Sequence, residues 1–169
     1  MSDRPSPPPS TGNANTANTN MRPIPSPSQT IPVEITIKPP SANETIEVDV
    51  ESGTAKIPVT GILKELSPSE SANTHVYVFT NTRNVSEWWY DKPVNPDQDA
   101  DWEAIGLAGS SEQPVKANQT VRIRAIVAKE SEIQKATKST GKKFVESLET
   151  IKSLKVSDEV IVTIIPKKN

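Results

Sequence analysis

From Val33 onward, apolar and polar residues alternate with a period of two in one short run after another, and this restricts the fold more than any other feature of the chain. Val33, Ile35 and Ile37 alternate with Glu34, Thr36 and Lys38; Ile46, Val48 and Val50 alternate with Glu47, Asp49 and Glu51. Val121, Ile123, Ala125 and Val127 alternate with Arg122, Arg124 and Ile126. Successive side chains of an extended chain point to opposite faces, so each run reads as a strand with one face against a core. Val and Ile together number 30 against 5 Leu. Branched side chains fit a pleated surface and crowd a helix, so a mainly β fold is expected.

Further strands follow from the same reasoning. Ala55 to Leu63 places Ile57 and Val59 on one face, with Gly61 leaving room for a bulge or a close approach. His75 to Phe79 is apolar or aromatic at both parities, as in a central strand with neighbours on both edges and cover on both faces. Trp88, Trp89 and Tyr90 precede a Pro- and Asp-rich turn, and Trp102 to Leu107 follows it. The run Val160 to Ile165, apolar at both parities, is expected to close the sheet. Residues 130–157 form a charged insertion in which Phe144, Val145, Leu148, Ile151 and Leu154 recur at helical spacing. Lys142, Lys143, Glu146, Glu149 and Lys152 occupy the other side, which predicts a helix of about three turns. Ile133 and Ala136 fit an earlier turn.

Residues 1–30 contrast sharply with the rest. Only 5 of the 56 apolar residues lie there, among many Pro, Ser, Thr and Asn. Such a segment cannot bury enough surface to offset its conformational entropy, so a disordered arm of polyproline character is expected, followed by one domain over residues 31–169. Pro5 and Pro8 satisfy the PxxP spacing of peptides that dock in SH3-like or WW-like grooves. Short PxxP matches arise easily in a Pro-rich composition, so a plain tether is the simpler reading.

Charge and composition exclude several functions. Net charge is -2, with +1 on residues 1–30, -5 on 31–129 and +2 on 130–169, so no basic field draws nucleic acid. No window holds 18 consecutive apolar residues, so no membrane-spanning helix is expected. MSDRPSPPPS lacks the apolar run of a secretory signal, which points to a cytoplasmic location. The three Asn-x-Ser/Thr sequons at Asn43, Asn84 and Asn118 then carry no glycan. Without cysteine, disulfides, thiolate metal sites and cysteine nucleophiles are all ruled out.

Seven or so short strands with turn signals every 8 to 12 residues match an antiparallel β-sandwich. The order Val59-Thr60-Gly61, the Val76 to Phe79 strand, Trp88-Trp89, an Asp-rich turn ending at Trp102, the Val121 to Val127 strand and a closing strand resembles bacterial immunoglobulin-like or fibronectin-type-III-like modules. The resemblance covers residues 31 to 165. It departs from the family in having no Cys pair around the core tryptophan and in the helical insertion before the last strand. It implies a non-catalytic binding or spacer module.

The aromatic residues are the best candidates for a site. Trp88 and Trp89 in one strand point to opposite faces, so only one enters the core by that route. The other, beside Tyr90, is either covered by a folded loop or by the helix over residues 142–152, or stays exposed and is suited to stack on a partner's aromatic anchor or a sugar ring. Trp102 is expected in the core. Arg122 and Arg124 share one strand face, and in such a sandwich they lie near Tyr77 or Phe79, where cation-aromatic contact competes with ordinary pairing to carboxylates.

Asp97, Asp99 and Asp101 have the spacing of a calcium loop, but Trp102 stands where the EF-hand needs glycine and Ala108 where it needs glutamate. That leaves a non-EF calcium site or a solvated acidic turn. His75 is the only histidine and has no nucleophile elbow beside it. Ser139-Thr140-Gly141-Lys142-Lys143 lacks the first glycine and the final hydroxyl of a phosphate loop. The expected function is therefore a non-catalytic module without a cofactor, binding another protein through Trp88, Trp89, Tyr90, Tyr77, Arg122 and Arg124. The alternative is a carbohydrate-binding module using Trp88 and Trp89 as a stacking platform. A small hydrolase built on the acidic turn ranks last.

Overall fold

A computed structural model describes residues 5, 6, 8–10, 12, 32–82, 85–95, 101–138 and 143–167. The chain separates into two units, Met1–Thr30 and Ile31–Asn169, and the fold that follows is that of the second. The expectation of a disordered arm falls almost wholly outside the described residues.

The alternating runs form β1 (Glu34–Ile37), β2 (Thr45–Glu51) and β3 (Thr54–Lys64). A single turn α1 (Pro68–Ser71) leads to β4 (Thr74–Thr82), β5 (Trp88–Trp89), β6 (Asp101–Ala108) and β7 (Gln119–Lys129). Helix α2 (Glu130–Lys138), β8 (Phe144–Val145), a 3-10 turn (Leu148–Thr150), β9 (Lys155–Val156) and β10 (Val160–Pro166) complete the series. The protein is mainly β, as the residue pattern predicts.

Strand β2 belongs to two layers. Its first residues pair in parallel with β10, and Asp49–Glu51 pair antiparallel with β3. One layer contains β1, the end of β2, β3 and β6; the other runs β2, β10, β7, β4, β5, β8, with β9 on the edge of β7 beyond β10. Ile57, Val59 and Leu63 of β3 and Trp102 of β6 meet Val76, Val78, Ile123 and Ile164 of the other layer in the main core.

The second layer is also covered on its other face. Tyr77, Phe79, Trp88, Ile126, Ile133, Val145, Leu148 and Ile151 form a second cluster there, under α2 and the segment that follows it. Strand β4 therefore has neighbours on both edges and cover on both faces, which accounts for its apolar residues at both parities.

Two expectations are corrected. The helix lies at Glu130–Lys138 and includes Ile133 and Ala136, whereas Phe144 to Val156 is extended chain and a 3-10 turn. Its apolar residues have helical spacing because the chain presses Val145, Leu148 and Ile151 in turn onto one sheet face, and the spacing alone does not distinguish this from a helix. Strand β10 does not close the sheet: it lies between β7 and β2, with Val160, Val162 and Ile164 in the main core and Ile161 on the opposite face exposed.

Two residues in β3 show how tightly the layers meet. Pro58 lies where β2 has ended its pairing at Lys56 and the Lys38–Pro39 backbone takes over at Thr60, so its missing N–H leaves no ladder bond broken. At Gly61 a Cβ would stand 2.0 Å from the Thr36 carbonyl oxygen and 2.3 Å from the Trp102 ring. The close approach occurs without a bulge, since β3 and β6 pair in unbroken register from Ala55 to Ile62. Gly61→Ala is expected to destabilise by about 1–3 kcal/mol through overpacking, read from the denaturant midpoint; an unchanged midpoint would contradict this packing.

Candidate functional site

The sequence candidates occupy two faces of the second layer. Trp88 pairs with Val145 and Trp89 with Phe144 in the β5–β8 ladder. Trp88 faces the second cluster and is 7% exposed, while Trp89 points the opposite way and is 37% exposed. The pair cannot act as a joint platform, because consecutive residues of one strand cannot share a face.

On the covered face, Tyr77 is 2% exposed and meets Tyr90 edge-on at 5.5 Å between ring centroids. Tyr90 also packs on Phe79 at 5.2 Å and hydrogen-bonds Thr137 of α2. Burial raises the Tyr90 hydroxyl pKa above its ordinary value. These rings hold α2 on the sheet and leave Tyr77 no free surface. The Tyr77 hydroxyl has no hydrogen-bond partner among the described residues. Burial pushes it up to about 12, with the Glu130 carboxylate adding to the effect.

The arginines flank this cluster. Arg122 lies over the Trp88 ring at 5.0 Å and donates to Glu159 Oε2 at 2.6 Å. Arg124 stands opposite Phe79 in the β4–β7 register, and its Nε lies 3.4 Å from the same carboxylate oxygen. The expected cation-aromatic contact therefore forms with Trp88 for Arg122. Both guanidinium groups remain partly exposed, so the pairing with Glu159 is worth at most about 1 kcal/mol per pair. Their place on the Trp88 side separates them from Trp89.

Trp89 has a different setting. Its ring packs against Phe144 at 4.7 Å between centroids, tilted by 40°. It lies opposite Thr80, whose hydroxyl donates to the Leu107 carbonyl of β6 and so fastens the rim of one layer to the other. Gly106 permits this contact, since a Cβ there would stand 2.8 Å from Thr80 Cγ2. Beyond this fastening the second layer continues through β5 and β8, while the first stops at β6. Trp89 and Phe144 thus occupy a ledge that, among the described residues, no strand of the first layer covers. Lys143 borders it, donating to the Asp91 carbonyl at 2.8 Å.

Position β5 itself depends on Asn81, whose side-chain amide donates to the carbonyls of Val85 at 2.8 Å and Glu87 at 2.9 Å. Phe144, Thr80 and Asn81 are not legible as site residues in the sequence: Phe144 sits in a run of helical spacing, and the other two are short polar residues whose roles depend on contacts made by the folded chain.

Asp97 and Asp99 lie outside the described residues, and Asp101 begins β6 with its side chain exposed. Among the described residues no three His, Cys, Asp or Glu side chains converge to hold a metal ion. His75 is half-buried in β4 and meets Tyr77 edge-on at 6.2 Å. A shallow hollow of about 360 Å³ beside Asp101 is lined by Lys38, Thr60, Gly61, Trp102 and Glu103. Among the described residues no helix is long and apolar enough to cross a membrane.

Two measurements check this placement. Trp88→Ala is expected to cost about 3–5 kcal/mol of unfolding free energy and Trp89→Ala about 1 kcal/mol or less, so equal losses would reverse the assignment of faces. Between about pH 10 and pH 12 the native protein keeps the Tyr77 proton that the unfolded chain releases. That stability is fully present below pH 10 and is lost as the pH rises through this interval. Tyr77→Phe is expected to flatten the alkaline decline and leave neutral-pH stability equal or higher, because the hydroxyl it removes has no partner. No protein-family model matches the chain, and no curated protein matches it.

Proposed function

We propose that residues 31–169 form a non-catalytic interaction module of the immunoglobulin-like or fibronectin-type-III-like kind, which binds another protein on the Trp89–Phe144 ledge. The observation that carries this reading is the 37% exposed indole of Trp89, packed at a tilt against a second ring where the wider layer extends past the narrower one. A large, stiff aromatic side chain loses little entropy on binding and brings much apolar area, which is why such residues dominate interface energetics. The family reading is supported by the chain's path between layers, from β3 to β4 and β5, back to β6, then to β7 and β10.

The test is selection from a randomised peptide display library, with a glycan array run in parallel. Peptides recovered on the intact protein are expected to be lost on Trp89→Ala while its unfolding free energy changes by about 1 kcal/mol or less. Glycan hits that depend on Trp89, with no peptide hits, would replace this reading with carbohydrate binding. Peptide hits indifferent to Trp89 would move the site elsewhere.

A further inference from the structure

We infer that the partner on the ledge is an extended polypeptide segment that adds to β6 as a further strand of the narrower layer. This deepens the reading above and rests on it. The backbone of β6 supplies the first reason. Leu107 accepts a hydrogen bond from Thr80 on the side away from β3, so the odd-numbered residues of β6 direct their backbone groups outward, in the pattern of an antiparallel ladder. Pro58 stands opposite Ile105 in β3 and has no N–H to exchange with it, which agrees with that parity. Among the described residues, the outward N–H and C=O groups of Glu103 and Ile105 meet no backbone partner. Unpaired groups in a row two residues apart are a template for strand addition.

The shape of the edge selects the occupant. Neighbouring strands lie about 4.8 Å apart and packed layers about 10 Å apart, so one strand added to β6 would lie over β5 and β8. Its inward side chains would then cover Trp89 and Phe144. A second copy of the module could not use the same edge face to face, because its own overhanging β5 and β8 would occupy that space.

Charge and polarity set the sequence of the added strand. Asp101, Glu103, Ile105 and Leu107 share the outer face, and neither acid forms an ion pair among the described residues. Ile105 is 39% exposed. Side chains directly opposite across strands favour opposite charge and apolar contact. The fitting segment therefore carries basic residues opposite Asp101 and Glu103, small or branched ones opposite Ile105 and Leu107, and apolar residues at the alternate positions facing Trp89.

The probe is the capped heptapeptide acetyl-Thr-Leu-Thr-Val-Lys-Val-Lys-amide, compared with the same peptide carrying Glu for both Lys. Saturable binding is expected, with slowed amide exchange at Glu103 and Ile105, and the Glu peptide is expected to bind more weakly. Ile105→Pro removes one outward donor without touching the β3 ladder and is expected to weaken binding about tenfold or more. Glu103→Lys, which leaves the backbone intact, is expected to cancel the preference between the two peptides, since Asp101 still favours Lys while Lys at 103 favours Glu. Trp89→Ala is expected to weaken both. Failure of the Lys peptide to bind or to protect these amides overturns strand addition. If library-selected peptides need Trp89 but ignore Ile105→Pro and Glu103→Lys, the ledge reading stands and strand addition is lost; if nothing needs Trp89, both are lost.

Discussion

The antiparallel pairing of β4 with β7, in unbroken register from Thr74–Lys129 to Thr82–Val121, is the constraint on which the other elements depend. Among the described residues it is the one pair with a packed cluster on each face. Val76, Val78, Ile123 and Ala125 fill the space between the layers, and Tyr77, Phe79, Ile126 and Ala128 form the floor under α2. Burying both faces removes more apolar area from water than a half-solvated sheet does, at about 25 cal/mol per Å². The insertion after β7 is thereby part of the fold: Ile133, Val145, Leu148 and Ile151 cover rings that would otherwise face water.

The two layers share β2 at one side and diverge in width toward the other. Three strand positions lie across from six, and the Thr80 to Leu107 bond marks where the narrower layer ends. Past that bond the wider layer needs a cover that the described residues do not supply, and Trp89 stands there. The polar network around Arg122, Arg124 and Glu159 lies on the opposite face and belongs to the edge of the second cluster. Trp89 and the arginines, expected to share one binding surface, are thus held apart by the thickness of one sheet.

Much of the fold was legible before the structure. The one-sided strands and the doubly apolar β4 followed from residue parity, and the core position of Trp102, which is 3% exposed, from the size of its side chain. The failures share a cause. Phe144 to Leu154 has helical spacing yet runs extended, because the spacing of apolar residues records which side chains are buried and not the backbone path between them. The two apolar parities of β4 imply cover over Tyr77, but which residues supply it, Ile133 of α2 and Val145, Leu148 and Ile151 of the segment after it, is not written in the local pattern.

Alternation along the chain determined the strands, their inward residues and the division of Trp88 from Trp89, because the direction of a side chain on extended backbone is a local property. Which indole meets solvent was decided only by tertiary structure. It depends on how many strands each layer holds and on where α2 and β8 settle, and those are sums over contacts between residues far apart in sequence.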